Sequence, residues 1–410
     1  MSGIARSARP AREPILSDQS TAFGRTPSRR GLLQWPKVQY EIARALRLEF
    51  TAADHRAARF LEAALDPWGA APGDDGPADV QLGELTTRPG DAELQNPAGD
   101  GLSTAIDEGG TYVRADGRWC LVAPPAAEGP FVFAAERGFP LGRVFGRFVR
   151  PALQLAVAGH GAVAVHGSAV VGDGGGIVVA GWSEAGKTET ALAFVEQGAS
   201  FLSDKWTLVF GDGSLACFPI SIGVRRWVLG YAPTLRQKLP RAARLQFAAA
   251  AAGEAAAHAT ARFARRGGIV AATHAALADL AALAQRASLS PSELSAAYGQ
   301  PPPTASAPLA ALVLLTTTAE GQPRAELRDA AWAARRLARS ATYERRDYLA
   351  LAERARYLRG DGRGSDIADL IEDREERKLA SVLASSGVIE VRTPFPTDPR
   401  RIVETVRPLL

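Results

Sequence analysis

The stretch of residues 176–198, GIVVAGWSEAGKTETALAFVEQG, gives the clearest indication of the fold. Its first part, residues 176–180, is apolar without a polar interruption, which is typical of a strand covered on both faces of a sheet. Its last part, residues 187–197, has the pattern of a helix and stops at Gly198, a residue common just after helix C-termini. The stretch therefore predicts a strand, a tight loop and a helix in succession, a unit of α/β folds.

The loop itself, residues 181–188, fits the phosphate-loop pattern G-x-x-x-x-G-K-[ST] without a gap. In this pattern, backbone N–H groups converge on phosphate oxygens and the helix N-terminus adds a partial positive charge. We therefore expect a nucleoside triphosphate here, with Lys187 on its outer phosphates and Thr188 on a Mg²⁺ ion. The positions expected to bind the nucleotide are Gly181, Ser183, Glu184, Ala185, Gly186, Lys187, Thr188 and Glu189.

A phosphate loop does not by itself separate ATPases, GTPases and kinases, so the neighbouring sequence matters. The chain has no N-K-x-D motif that would read guanine, and no long apolar run ending in paired acids. Asp204 closes a short predicted strand after the loop, a usual position for an acid that holds Mg²⁺ beside the loop threonine. His166 lies on the strand before the loop, where it is either a buried structural histidine or a proton acceptor.

In these elements the chain resembles the C-terminal domain of HPr kinase/phosphorylase and the related HPr-kinase-like serine kinases. The resemblance covers about residues 160–230, and its matching elements are Val165-His166-Gly167-Ser168, the segment GxSxxGKTETAL from Gly181, and Gly198-x5-Asp204. It implies an α/β P-loop kinase domain of HPr-kinase type, with a mixed sheet flanked by helices. It also implies ATP, Mg²⁺ and transfer of the γ-phosphoryl group to a serine or similar hydroxyl of a peptide, protein or small metabolite. The implied catalytic residues are Asp204, His166 and Lys187.

One departure from the family concerns the proton acceptor. The family has an Asp-Asp pair whose second member is the general base, whereas this chain has Asp204-Lys205. A protonated lysine cannot accept the hydroxyl proton. Either Asp204 or His166 then serves as the base, or the chain is a catalytically impaired pseudokinase that binds nucleotide as a partner or regulator. A phosphate-loop NTPase without an acceptor is the third alternative.

A second departure concerns the charges around the loop. Glu184 stands where the family usually has glycine, and a carboxylate beside a triphosphate is unfavourable unless it points away or is paired; Lys205 is one candidate partner. The family's downstream Mg²⁺-binding glutamate is not evident in residues 219–226. Arg225 and Arg226 in that segment either contact phosphates or form a solvated pair. Trp182, within the loop, either stacks on the base or packs on a neighbouring helix.

Composition limits the other classes of function. The chain has 410 residues, of which 46% are hydrophobic and 22% charged, as in ordinary globular proteins. Only five of its 48 basic residues are lysine and the net charge is +4, which indicates compositional bias rather than a nucleic-acid-binding face. Cys120 and Cys217 form no disulfide or metal pattern. Without a signal core or a membrane-spanning apolar run, we expect a cytoplasmic protein that contacts no membrane.

The chain divides by sequence character into three parts. Residues 1–32 combine Ser, Pro, Gly and Arg without periodicity and predict a disordered lead-in. Residues 33–138 predict a small α+β module with a hairpin turned at Asp116-Gly117. Residues 139–410 predict the P-loop domain, with one apolar strand at residues 161–171 and with Ala-rich helical and Pro-rich segments at about 241–308, the helical part broken at Gly267-Gly268. Because the family's members are commonly oligomeric, the small module is expected to present the acceptor or to mediate assembly of a homo-oligomer.

Overall fold

The computed structural model describes residues 37–43, 45–51, 55–71, 76–90, 101–107, 110–126, 129–264, 284–359 and 367–410. Two large mixed sheets flanked by helices make up this part of the chain, so the expected α/β class is confirmed. The predicted lead-in at residues 1–32 and the predicted break at Gly267-Gly268 lie outside the described residues.

The first sheet contains eight strands in the order β3-β1-β2-β4-β8-β7-β6-β5. Its strands are β1 (Lys37–Ile42), β2 (Leu46–Thr51), β3 (Ala70–Ala71), β4 (Val80–Glu84), β5 (Ser103–Asp107), β6 (Gly110–Ala115), β7 (Arg118–Leu121) and β8 (Phe131–Ala135). Helix α1 (His55–Ala64) buries Leu61 against it. The predicted hairpin between β6 and β7 is confirmed, with φ of 49° at Asp116 and 78° at Gly117.

A helical segment leads from the first sheet to the second. It consists of α2 (Gly142–Val144), a π-helical turn (Phe145–Val149), α3 (Arg150–Ala156) and a 3-10 turn (Val157–His160). Every residue of α3 from Pro151 to Ala156 is buried. The segment therefore belongs to the core rather than to an exposed linker.

The second sheet contains nine strands and branches at its longest one. The strands are β9 (Ala162–Val165), β10 (Gly167–Gly172), β11 (Gly175–Gly181), β12 (Ser200–Ser203), β13 (Thr207–Phe210), β14 (Ser214–Cys217), β17 (Ala307–Thr318), β18 (Arg324–Leu327) and β19 (Gly387–Pro394); β15 (Ile222–Arg225) and β16 (Arg286–Leu289) pair separately. The order is β12-β10-β11-β17, and on the far side of β17 lie β14, with β13 and β9, and β19, with β18. Strands β11, β17 and β19 are parallel. Their carboxyl ends therefore meet at one edge of the sheet.

Helices cover both faces of this sheet. They are α4 (Lys187–Glu196), α5 (Pro233–Lys238), α6 (Arg241–Ala264), α7 (Pro291–Ala297), α8 (Ala330–Glu344), α9 (Arg346–Arg359), α10 (Ile367–Leu383) and α11 (Pro399–Val406). Val179 of β11 packs in the cluster that contains α4 and α11, whereas Val178 packs in the one that contains α8 and α10. The apolar run of β11 predicts a strand that is buried on both faces, and this is confirmed.

The single strand predicted at residues 161–171 is wrong, because the chain breaks at His166 into β9 and β10. Strand β9 pairs with β13, while β10 pairs with β11 and β12. A Cβ at Gly167 would lie 3.0 Å from the Val179 carbonyl oxygen, so the backbones approach closely there. An apolar run shows that residues are buried but not which neighbours they pair with.

One hydrophobic cluster joins the two sheets. It contains residues of both, including Val80 and Phe131 of the first and Leu208 and Ala216 of the second, together with Trp206 just before β13. Hydrogen bonds also cross between them, from the Trp68 indole to the Cys217 carbonyl (3.3 Å) and, for example, from the Tyr348 hydroxyl to the Ala123 carbonyl (3.0 Å). The proposed separation into domains near residue 138 stays a prediction.

Two further expectations concern cysteines and membranes. Cys120 and Cys217 are both buried and form no disulfide bond. Burial raises the pKa of the Cys217 thiol to about 12. Within the described residues, none of the helices has the length and apolar character needed to cross a bilayer.

Candidate functional site

The phosphate-loop residues connect β11 to α4 at the edge where the parallel strands end. Gly181 has φ of 151°, and a Cβ there would lie 2.7 Å from the Leu315 carbonyl oxygen of β17. Gly186 has φ of 90°, and its Cβ would lie 3.3 Å from the Phe395 ring. Both motif glycines are therefore required by the local backbone. Ser183 and Glu184 are exposed in the loop, whereas Ala185 is buried beneath it.

Lys187 is the first residue of α4, and its ammonium folds back over the loop. Its Nζ donates to the carbonyl oxygens of Gly181 (3.1 Å) and Trp182 (2.8 Å). Burial lowers the pKa of Lys187, and the nearby carboxylates of Asp204 and Glu344 act in the opposite direction. The ammonium is therefore held beside the loop by neutral acceptors, which it can exchange for an anion.

One carboxylate oxygen of Asp204 accepts hydrogen bonds from two hydroxyl groups. Its Oδ1 accepts from Ser168 Oγ at 2.5 Å and from Thr188 Oγ1 at 2.8 Å. Three elements meet here, because Asp204 follows β12, Ser168 lies on β10 and Thr188 lies on α4. The structure thus brings together the two residues expected to hold Mg²⁺. Ser168 lies in a segment that resembles the family, but nothing in the sequence indicates its contact with Asp204.

The oxygen atoms of Thr188 and Asp204 are of the type that Mg²⁺ binds. A hydroxyl and a carboxylate are hard oxygen ligands, and protein-bound Mg²⁺ usually takes one or two such groups with the rest from phosphate and water. Among the described residues, no group of three or more His, Cys, Asp and Glu side chains is arranged to hold a metal. Glu189 lies close by, and burial, reinforced by Asp204, raises its pKa.

His166 lies at the break between β9 and β10 and faces the end of α8. Its Nδ1 lies 3.1 Å from Ser340 Oγ and 3.9 Å from Glu344 Oε1, and its ring packs 5.3 Å from that of Trp206. Burial, and then the charges of Lys187, Lys205 and Arg345, lower its pKa to about 3. His166 is therefore a buried, neutral imidazole next to the loop lysine.

Lys205 and Glu344 add a second pair of opposite charges beside the loop. Lys205 has φ of 61° and is half-buried; burial, followed by the charge of Arg150, lowers its pKa. Glu344 favours the protonated form of both Lys187 and Lys205. Glu344 could not be identified from the sequence, because it lies at the end of a charged helix 160 positions after Glu184 and nothing in that helix indicates that it packs beside the loop.

Glu184 is paired with Arg225, so the suggestion that Lys205 is its partner is wrong. The Arg225 guanidinium donates to Glu184 Oε1 at 2.8 Å. Arg226 pairs with Glu254 at 2.5 Å. Both arginines are thus partly exposed members of ion pairs. Arg225 lies at the end of β15, and only the tertiary fold brings this strand to the loop.

Exposed aromatic rings flank the loop on two sides. The Trp182 ring is 50% exposed and lies 4.7 Å from that of Tyr343 on α8, so it packs on a helix while much of its surface stays open. On the other side, the Phe395 ring contacts the loop at Gly186 and lies 6.1 Å from the ring of Trp227. The loop therefore lies between two aromatic surfaces.

Neither a scan of the sequence against models of protein families nor a search among curated proteins finds a match.

Proposed function

We propose that this chain is an ATP- and Mg²⁺-dependent phosphotransferase of the HPr-kinase-like type, which transfers the γ-phosphoryl group to a serine or similar hydroxyl. The observation that carries the proposal is the contact between Thr188 and Asp204 at the start of α4. A loop threonine and an acid from a neighbouring strand end are the pair that holds Mg²⁺ in P-loop enzymes. Lys187 beside them supplies the charge expected at the outer phosphates.

In phosphoryl transfer the protein mainly positions the reacting groups and stabilises the charge on the phosphates. The acceptor oxygen forms a bond to the γ-phosphorus while the bond to the β–γ bridging oxygen breaks, so that ADP leaves. Lys187 exchanges the loop carbonyls for phosphate oxygens, and the loop N–H groups orient the chain of phosphates. The hydroxyl proton passes to Asp204 or His166. Bound Mg²⁺ would neutralise the charge that develops on the phosphates.

A pseudokinase is the second candidate, and two observations favour it. Lys205 occupies the position of the family's general base, and His166 has a pKa lowered to about 3. An imidazole with so low a pKa accepts protons weakly at neutral pH. This candidate predicts binding of Mg²⁺ and ATP without turnover.

Binding and transfer of phosphate distinguish the candidates. Binding is measured as thermal stabilisation by ATP with and without Mg²⁺. Transfer is measured with γ-labelled ATP, using free serine and a library of serine-containing peptides as acceptors. Lys187→Ala and Asp204→Asn should abolish transfer, whereas the exposed controls Lys238→Ala and Asp173→Asn should retain it.

Each result decides one question. Transfer that depends on Lys187 and Asp204 supports the kinase. Binding without transfer to any acceptor supports the pseudokinase, and release of phosphate without an acceptor supports a simple NTPase. No binding of ATP by the wild-type chain overturns all three, and full transfer by Asp204→Asn overturns the role of Asp204.

A further inference from the structure

We infer that Trp227 and Phe395 form the subsite for the purine base of the nucleotide, an inference that rests on the proposed function. The two rings lie 6.1 Å apart at 66° on one side of the phosphate loop. Four observations support this: the direction of the nucleotide, the contact of Phe395 with the loop, the exposure of Trp227 and the different surroundings of the other aromatic pair.

The order of the strands gives the direction of the nucleotide. Asp204 follows β12, which lies beyond β10 on one side of β11, whereas Phe395 follows β19, which lies beyond β17 on the other. Mg²⁺ in P-loop sites bridges the outer phosphates. The γ-phosphate therefore lies toward Asp204, and the nucleoside leads away from it, toward the Phe395 side of the loop.

Phe395 lies directly against the loop backbone at the point where the nucleoside would leave. Its ring atoms are 3.3 and 3.4 Å from the position that a Cβ at Gly186 would take. The ring thus lies next to the loop at Gly186. A flat base that emerges past Gly186 meets this ring first.

Trp227 extends the same surface and keeps part of its ring open. It is 37% exposed, and Tyr231 fixes it from another side at 6.1 Å and 83°. It lies on the 3-10 turn Arg226–Gly230, directly after Arg225, whose guanidinium binds Glu184 of the loop. Trp227 is therefore anchored at the site but open on one side, as a stacking surface must be.

The other aromatic pair, Trp182 and Tyr343, has different surroundings. Tyr343 precedes Glu344, which lies 3.9 Å from His166, so this pair lies on the side of the proposed proton acceptors. That is the side from which a hydroxyl acceptor approaches the γ-phosphate. Trp182 is thus the rival position for the base, and the experiment must separate the two.

The experiment compares Mg²⁺-ATP with inorganic tripolyphosphate, which has the phosphates but no base, by calorimetric titration of the full chain. Trp227→Ala should weaken ATP binding by about 5- to 150-fold, the range given by stacking of one base on an aromatic ring. Its binding of tripolyphosphate should be unchanged, and Trp227→Phe should restore much of the ATP affinity. Tyr357→Ala removes a ring that is exposed elsewhere, on α9, and should leave both ligands unaffected.

Three results would overturn the inference while leaving the proposed function intact. They are an unchanged ATP affinity in Trp227→Ala, an equal loss for ATP and tripolyphosphate, and a loss specific to ATP in Trp182→Ala instead. If the wild-type chain binds neither ligand, the proposed function itself fails. Circular dichroism of Trp227→Ala tests whether the variant is folded.

Discussion

The ion pair between Glu184 and Arg225 determines the net charge beside the loop at which we propose that a nucleotide binds. Glu184 is 68% exposed in the loop, and Arg225, at 2.8 Å, is 41% exposed. We expect Arg225→Ala to weaken ATP binding. Without the guanidinium, the Glu184 carboxylate repels the phosphates, whereas in the wild type the two charges largely cancel at that distance.

The size of the effect follows from the exposure of the pair. Two unit charges 4 Å apart interact by about 1 kcal/mol in water and about 4 kcal/mol at an effective dielectric constant of 20. Because both side chains are well solvated, the lower value applies, and about 1 kcal/mol corresponds to roughly a fivefold change in Kd. The ion pair itself should contribute only about 0.2–1 kcal/mol to the free energy of unfolding.

A double-mutant cycle measured by calorimetric titration with Mg²⁺-ATP tests this reasoning. Glu184→Gly should leave the Kd close to the wild-type value, since the pair is already neutral and the partly exposed Arg225 can turn into solvent without its partner; glycine also suits the local φ of 61°. In that background, Arg225→Ala should have almost no effect. Arg226→Ala is the matched control, because its ion pair is with Glu254. If Arg225→Ala weakens binding equally in both backgrounds, Arg225 contacts the phosphates directly and does not act through Glu184.

Three further predictions address stability, Mg²⁺ and pH. Gly181→Ala should lower the free energy of unfolding, measured in urea, by about 1–3 kcal/mol, because its Cβ would lie 2.7 Å from a β17 carbonyl oxygen. Gly174→Ala is the control: its Cβ would meet open space, so it should change the free energy of unfolding by less than about 0.5 kcal/mol, and equal effects of the two variants would contradict the role of the close contact. Asp204→Asn should remove the enhancement of ATP binding by Mg²⁺, and a titration in which Mg²⁺ still helps would show that Asp204 is no ligand. The pKa of His166 is lowered to about 3, so between about pH 6.5 and pH 3 the unfolded chain binds a proton on this residue and the folded chain does not. The free energy of unfolding of the wild type should therefore fall with pH across this range by up to about 1.4 kcal/mol per pH unit, relative to that of His166→Phe. Parallel pH profiles of the two proteins would contradict this.

Features that depend on neighbouring residues could be predicted from the sequence. The strand, loop and helix around Lys187 are confirmed because apolar runs, glycines and helix ends act locally. The hairpin at Asp116-Gly117 is confirmed for the same reason, since two residues with positive φ determine the turn. The approach of Asp204 to Thr188 could be anticipated from the position of an acid at a strand end soon after the loop, and from the order of motifs in the family that the chain resembles.

Features that depend on strand pairing or on distant segments could not be predicted. The break at His166 requires knowing that β9 and β10 have different partners. Arg225 and Glu344 reach the loop from elements 41 and 160 positions from Glu184 along the chain, and their charges look like those of any solvated helix or strand end. Burial and pairing of charges are properties of the folded chain, which neither composition nor spacing expresses.

The hydrophobic cluster that joins the two sheets bears on how this protein can change by recombination. Trp206, two residues after Asp204, packs in the same cluster as Val80 and Phe131 of the first sheet. A chain that exchanged the first sheet for an unrelated one would have to supply a matching apolar surface at the same time, or it would lose packing around the acid. Substitutions in the apolar core of the first sheet should therefore be constrained by a site to which that core contributes no ligand.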